Sequence, residues 1–155
     1  MIYLISACLL GTPCRYDGRA RGVSPAIRAL MARHTLIPVC PEVMGGLPTP
    51  RPPAERQGER VINRRGEDVT EAYRRGAEAV LALARRMGAD GVILKDMSPS
   101  CGTDGIYDGH FSGTRIVGRG VTAELLAAKG IRVFGEEGPT AEREKKNLPE
   151  AKKFS

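Results

Sequence analysis

The sequence predicts a single-domain α/β fold: a mostly parallel, Rossmann-like sheet with flanking helices and a cysteine site at the carboxyl ends of its strands. Three observations lead there. Short β-rich apolar runs at residues 2–5, 36–39, 91–94 and 131–134 alternate with helix-periodic segments, which is the pattern of βαβ units with right-handed crossovers. A length of 155 residues suits one domain with a sizeable core. Three of the four cysteines, Cys8, Cys40 and Cys101, fall just past the ends of successive predicted strands.

The chain opens apolar over residues 1–10, with no basic residue, and meets Gly11-Thr12-Pro13 at once. That reads as a buried strand and not as a secretory signal. A loop rich in Gly, Arg and Asp covers residues 11–22. Ser24-Pro25 is an N-cap followed by Pro at the first helical position, opening a helix to about Arg33. After the second strand, residues 41–66 are dense in Pro and Gly and read as a long irregular loop, a kind that is functional or disordered. Val69-Thr70-Glu71 opens the strongest helix. In it Ala72, Ala79, Val80, Leu83 and Met87 recur at helical spacing with Arg opposite, and Gly88 closes it. The third strand is followed by a glycine-rich loop over 98–113 and a short strand or extended arm over 114–117. Thr122 caps a helix to about Lys129, Gly130 ends it, and the fourth strand follows. The domain spans 1–135. Residues 136–155 form a charged tail carrying Lys145-Lys146 and Lys152-Lys153.

Hydrophobic residues at 41% and charged residues at 27% are ordinary globular values. No apolar run approaches the ~20 residues that span a bilayer, so a cytoplasmic location and no membrane partner are expected. The net charge of +6 weakly favours anionic ligands or nucleic acid, although most Arg residues lie in surface-like stretches. With no Trp and few aromatics, no base-stacking surface and no stable nucleic-acid partner are expected.

In a reducing compartment, free cysteines are metal ligands or catalytic thiols before they are disulfides. No pair here has C-x-x-C spacing, so spacing does not indicate a zinc ribbon. Position is more informative. In an open parallel sheet the loops at the carboxyl ends of the strands form the binding crevice, so Cys8, Cys40 and Cys101 share one edge. Thiolates suit zinc or an iron–sulfur cluster. Four would close a structural site; three would leave a position open for chemistry. Pro38-Val39-Cys40-Pro41-Glu42 sets a carboxylate two residues after a thiol, and Ser98-Pro99-Ser100-Cys101-Gly102 sets two hydroxyls beside another. Ser100 reads as turn capping, given Pro99 and Gly102; Glu42 and Ser98 read as functional. His34 and His110 stand apart and are not assigned to the metal. Lys95 and Asp96 are expected near the pocket, in salt bridges.

Several motifs in order resemble the thiouracil desulfidase family: Ser6-Ala7-Cys8-Leu9-Leu10-Gly11, Arg15-Tyr16-Asp17-Gly18, the Cys40 motif followed by Gly45-Gly46-Leu47-Pro48-Thr49-Pro50-Arg51, and Leu94-Lys95 with the Cys101 motif. The resemblance runs from about residue 2 to 135. It implies a [4Fe-4S] cluster on Cys8, Cys40 and Cys101 with one iron not bound by protein. It also implies a catalytic carboxylate at Glu42 and an active-site serine at Ser98. The implied reaction is non-redox desulfuration of a thiolated pyrimidine (thiouracil, or a thiouridine nucleoside or nucleotide), releasing sulfide and giving the oxo base. Cys14 is not required by the three-ligand scheme and reads as a free or accessory thiol.

Two other readings compete. Residues 116–123 follow a strand, G-x-G-x-x-A, helix pattern through Gly118, Gly120 and Ala123, with Glu136 beyond the next strand, as in a dinucleotide-binding oxidoreductase. The Arg-rich stretch 51–65 suggests a zinc-stabilised basic RNA-binding module, although Glu55, Glu59, Glu67 and Asp68 offset its charge.

Overall fold

A computed structural model describes residues 1–20 and 22–139. Along the chain the elements are β1 (Ile2–Ser6), a 3-10 turn (Ala7–Leu10), α1 (Pro25–Arg33), β2 (Thr35–Val39), α2 (Pro41–Met44), β3 (Ala54–Gln57), β4 (Arg60–Asn63), α3 (Thr70–Met87), β5 (Gly91–Ile93), β6 (Gly105–Tyr107), β7 (Arg115–Val117), α4 (Val121–Ala128) and β8 (Val133–Phe134). Four strands make one parallel sheet in the order β2-β1-β5-β8. β3–β4 and β6–β7 are separate antiparallel hairpins.

β1 and β5 lie at the centre and are apolar on both faces, as strands covered on two sides must be. Leu4, Val92 and Leu94 point into a cluster with Val80, Leu81 and Ala84 of α3 and Leu126 of α4. Tyr3, Ile5 and Ile93 point the other way, into a cluster with Ile27 and Leu30 of α1. The sheet is thus the middle of three layers. The chain steps from β1 to β2 on one side and returns to β5 on the other, so the order reverses between β1 and β5. A crevice opens there at the carboxyl ends.

The predicted strands and the Ser24 cap stand, with ends moved by a residue or two; the Ser24 side chain accepts from Ile27 N at 3.2 Å. Five expectations change. The first strand stops at Ser6, and residues 7–10 turn into a 3-10 helix closed by Gly11 at φ 88°. Residues 41–66 are not one irregular loop but hold α2 and the β3–β4 hairpin. The 98–113 loop contains β6, which pairs with β7. Of the expected α3 face, Ala72 and Val80 are buried and Leu83 packs partly buried against the core, but Met87 is exposed, and Tyr73, Gly76, Ala77, Leu81 and Ala84 complete the buried face. Thr122 does not cap α4; Gly120 holds that position, and the Thr122 hydroxyl meets that of Ser100 at 2.7 Å. Of the charged tail, Glu136 pairs with Lys95 at 2.5 Å, and residues 140–155 lie outside the described residues. Among the described residues, no helix is long and apolar enough to cross a membrane.

Two glycines set the distance between α2 and α3. A Cβ on Gly76 would collide with the Pro41 carbonyl, and one on Gly45 with the Ala72 carbonyl. At an exposed helical position Gly→Ala gains roughly 1 kcal/mol. Gly76→Ala is expected to do the reverse and destabilise by roughly 1–3 kcal/mol through overpacking, read as a lowered urea midpoint. The exposed Asp68 accepts from the Thr70 hydroxyl at 2.5 Å and from Thr70 N at 2.9 Å, and pairs with Arg60. The Thr70 bonds first, then Arg60, hold its carboxyl down at about 2. Because that value lies below the ~3.9 of an unfolded chain, the Asp68 contribution is complete above about pH 4 and lost as pH falls through about 2. In Asp68→Asn that acid-side loss of stability is expected to flatten, as measured by urea unfolding across this window.

Candidate metal centre and active site

The three expected thiols arrive from three different connections. Cys8 lies on the 3-10 turn after β1, Cys40 caps α2 directly after β2, and Cys101 follows β5. Cys8 and Cys101 are buried and Cys40 is half-buried. All three line one cavity of about 590 Å³, as do Cys14, Glu42 and Ser98.

Cys14 belongs to the thiol cluster more closely than its spacing suggested. The Cys40 and Cys8 thiols each lie within hydrogen-bonding reach of the Cys14 thiol. The Cys40 proton has a second acceptor in reach, the Cys14 carbonyl at 3.9 Å. The Cys14 bond, backed by Lys95, makes Cys8 the more acidic thiol despite its burial. The hydrogen bond to Cys14 and burial hold Cys40 protonated. Cys14 is lowered by the Cys40 bond, but the bond with Cys8 and burial outweigh that and raise it. Burial pushes Cys101 up to about 12, against the Ser6 and Ser98 hydroxyls. Among the described residues, no group of three or more His, Cys, Asp or Glu is arranged around a single metal ion. Zinc needs its ligands to converge on one point at about 2.3 Å. The donor set fits a cluster better, since each thiolate there binds a different iron and soft sulfur donors suit it.

Glu42 sits in the first turn of α2. Its Oε2 accepts from Arg51 Nε at 2.7 Å and lies 2.5 Å from Nη2. Arg51 also donates to the Pro48 carbonyl at 3.1 Å, Thr49 Oγ1 at 3.1 Å and the Cys14 carbonyl at 3.0 Å. The other carboxylate oxygen, Oε1, is 3.4 Å from the Ser98 hydroxyl. Ser98 Oγ accepts from Ser100 N at 3.1 Å and Cys101 N at 3.0 Å, so it ties the Cys101 loop to Glu42. Tyr73 of α3 lies behind; burial first, then the Glu42 charge, keep its phenol protonated. Lys95 lines the cavity while bridging Glu136, and Asp96 lines it too. Ser100 is fully buried against Thr122, and the two histidines are not among the cavity's lining residues. Arg51 was legible only as part of a motif: nothing in its spacing shows that it meets Glu42, nine residues away, across a proline-rich turn.

The G-x-G-x-x-A pattern has a different use. β7 lies outside the parallel sheet, and the first amides of α4 are already occupied. Val121 N, Thr122 N and Ala123 N donate to the Pro99 and Ser100 carbonyls at 2.9–3.2 Å, and Gly120 N donates to Gly102 O at 2.8 Å. A Cβ on Gly120 would collide with Ser100. The glycine lets α4 clamp the Cys101 loop and leaves no amides for a pyrophosphate. In the Arg-rich stretch, Arg51, Arg56 and Arg60 are paired with Glu42, Glu124 and Asp68.

A thiol-lined cavity at the switch point of a parallel sheet marks an α/β enzyme built around a thiophilic metal centre. Residues 3–138 match the 2-thiouracil desulfurase family, and the chain belongs to it, as the cysteine motifs led us to expect. Among curated proteins it is 48% identical over 143 residues to YbbK of Bacillus subtilis (strain 168), described as uncharacterized, covering 86% of this chain and 94% of that one. Among solved structures it resembles the [4Fe-4S]-dependent thiouracil desulfidase TudS, with a TM-score of 0.82 and 51% identity over 87% of this chain and 90% of that one.

Arg51 is buried, and Glu42 is largely so, with side-chain exposures of 5% and 13%. Removing one partner of a dry pair costs roughly 3–5 kcal/mol. Since Glu42 borders the cavity, Arg51→Leu is expected to destabilise by about 2 kcal/mol. Arg51→Lys, which keeps the charge but not the fork, is expected to lose about half of that. Urea unfolding of both variants checks this order.

Proposed function

We propose that this protein is an iron–sulfur-dependent desulfidase. It replaces the thiocarbonyl sulfur of a thiouracil-type base, free or as its nucleoside or nucleotide, with oxygen from water. The carbon–sulfur double bond breaks and a carbon–oxygen double bond forms from the water oxygen. Both water protons leave with the sulfur as hydrogen sulfide, with no net electron transfer. The observation that carries the reading is the meeting of Cys8, Cys40, Cys101, Glu42 and Ser98 at one cavity from three separate strand ends. Family membership and the TudS likeness support it. A reducing cytoplasm, where such thiols stay free, is the setting we assign.

Cys8, Cys40 and Cys101 would hold a [4Fe-4S] cluster with one iron free of protein ligands, and the bound cluster supplies a Lewis acid for the thiocarbonyl sulfur. Arg51 fixes the Glu42 carboxylate by gripping Oε2. That leaves Oε1, with its lone pairs, to take a proton from the attacking water and return it to the departing sulfur. Ser98 is a positioning residue: its proton points at Oε1 while its oxygen anchors the Cys101 loop. Cys14 is an accessory thiol beside the ligands.

Protein purified without oxygen is expected to be brown, with about four irons and four labile sulfides per chain. Cys8→Ala, Cys40→Ala and Cys101→Ala are expected to lose that colour, and Cys14→Ala to keep it. Zinc in place of iron, or equal loss in Cys14→Ala, would indicate a closed four-thiolate site and sink the open-iron scheme. Glu42→Gln is expected to keep its iron while sulfide release from thiouracils falls by roughly 10²–10⁴-fold. Ser98→Ala is expected to lose less.

A further inference from the structure

Among the described residues, positive φ outside glycine occurs at two positions, Met97 (φ 63°) and Phe111 (φ 53°). The left-handed region is costly for large side chains, and strain of this kind gathers at functional sites. Both residues line the cavity that holds the thiols, although one follows β5 and the other lies between β6 and β7. Both side chains are half-buried.

The surrounding structure holds each of them in place. Glu55 of β3 is buried, and its Oε1 accepts from Gly109 N at 3.0 Å and Phe111 N at 3.2 Å. Gln57, on the same side of β3, donates to the Gly109 carbonyl at 2.6 Å. Arg64 stacks its guanidinium 5.3 Å from the Phe111 ring centroid. Met97 is bracketed by Asp96 N, which donates to Glu136 at 3.2 Å, and by the Ser98 hydroxyl, which accepts two amides. Where the chain needs only the turn, it uses glycine: Gly109 and Gly113, two residues either side of Phe111, have φ 92° and 78°. A phenylalanine kept at the strained position between them is kept for its ring.

We propose that Met97 and Phe111 form an apolar clamp for the flat heterocyclic ring of the substrate, with Glu55 as the positioning residue that holds Phe111 in its strained conformation. This rests on the desulfidase reading for the identity of the ring. A thioether and a phenyl ring are suited to the face of a pyrimidine, which any π-face contact stabilises. Met97 immediately precedes Ser98, whose hydroxyl contacts Glu42, so a ring gripped there lies beside the carboxylate.

The test uses the fact that glycine relieves the strain while removing the side chain. Phe111→Gly and Met97→Gly are made in the holoenzyme and compared with wild type by thermal midpoint, iron content, kcat, KM for thiouracil and calorimetric affinity for uracil. The expected result is an unchanged or raised midpoint, unchanged iron, a kcat within about twofold, and KM and the uracil dissociation constant both raised roughly tenfold, as for a lost stacking contact. Phe111→Tyr is expected to bind as wild type does. Glu55→Gln, which keeps an acceptor oxygen, is expected to rescue most of the affinity that Glu55→Leu loses. A lowered midpoint with unchanged KM would show that the two side chains only pack, and would overturn the clamp while wild-type sulfide release left the desulfidase reading standing. A wild type that binds uracil tightly but releases no sulfide would overturn the reaction and keep the clamp. A wild type that binds no pyrimidine overturns both.

Discussion

Arg51 carries its charge into a place almost closed to water, and the site is arranged around what that guanidinium needs. Five N–H donors on a rigid plane must find acceptors when buried. They find them on the Glu42 carboxylate, on the Pro48 and Thr49 oxygens, and on the Cys14 carbonyl. The Arg51 amide adds a bond to the Tyr16 carbonyl at 2.8 Å. One side chain thereby joins the start of α2, the proline-rich turn after it and the loop that presents Cys14. A buried ion pair of this kind adds little net stability. What it supplies is geometry: one carboxylate oxygen is taken and the other is left facing the cavity.

The thiols depend on a second constraint, the close approach of backbones. α2 can lie against α3 because Gly45 and Gly76 have no Cβ to meet the Ala72 and Pro41 carbonyls. α4 can accept the Cys101 loop into its first turn because Gly120 has none to meet Ser100. The result is a site whose three thiol-bearing segments each rest on the parallel sheet or on a helix packed against it, with little freedom to spread. That rigidity suits a site of converging side chains, which works when its supports are fixed.

The same region carries cost as well as support. Met97 and Phe111 sit in unfavourable backbone conformations, the Cys101 thiol is buried, and a carboxylate lies close by. Stability elsewhere compensates: both faces of the central strands are packed, and Leu4, Ile5, Val80, Val92, Ile93 and Leu126 are fully buried. Local conflict placed at a functional site inside an otherwise consistent fold is the pattern expected of a working active site.

Alternating apolar runs and helix-periodic stretches were enough to read the sheet, its parallel character and the helices that cover it, because those signals are local. The edge on which Cys8, Cys40 and Cys101 fall was legible for the same reason: a residue just past a parallel strand lies at its carboxyl end whatever the rest of the chain does. Strand order is not local; the hairpin of residues 54–63 is, but the buried Glu55 and the neighbouring Arg residues hid its alternation. Gly76 looks like a helix breaker within α3 until α2 is laid on it. The glycine pattern at 118–123 had two physical uses, phosphate binding or close backbone packing, and only the position of the Cys101 loop chose between them. By itself, then, the sequence determined the layers, the family and the thiols. Tertiary structure alone decided that Arg51 meets Glu42, that Cys14 joins Cys8 and Cys40, and that two strained side chains face the same cavity, because each of these is a contact between segments whose separation along the chain carries no signal.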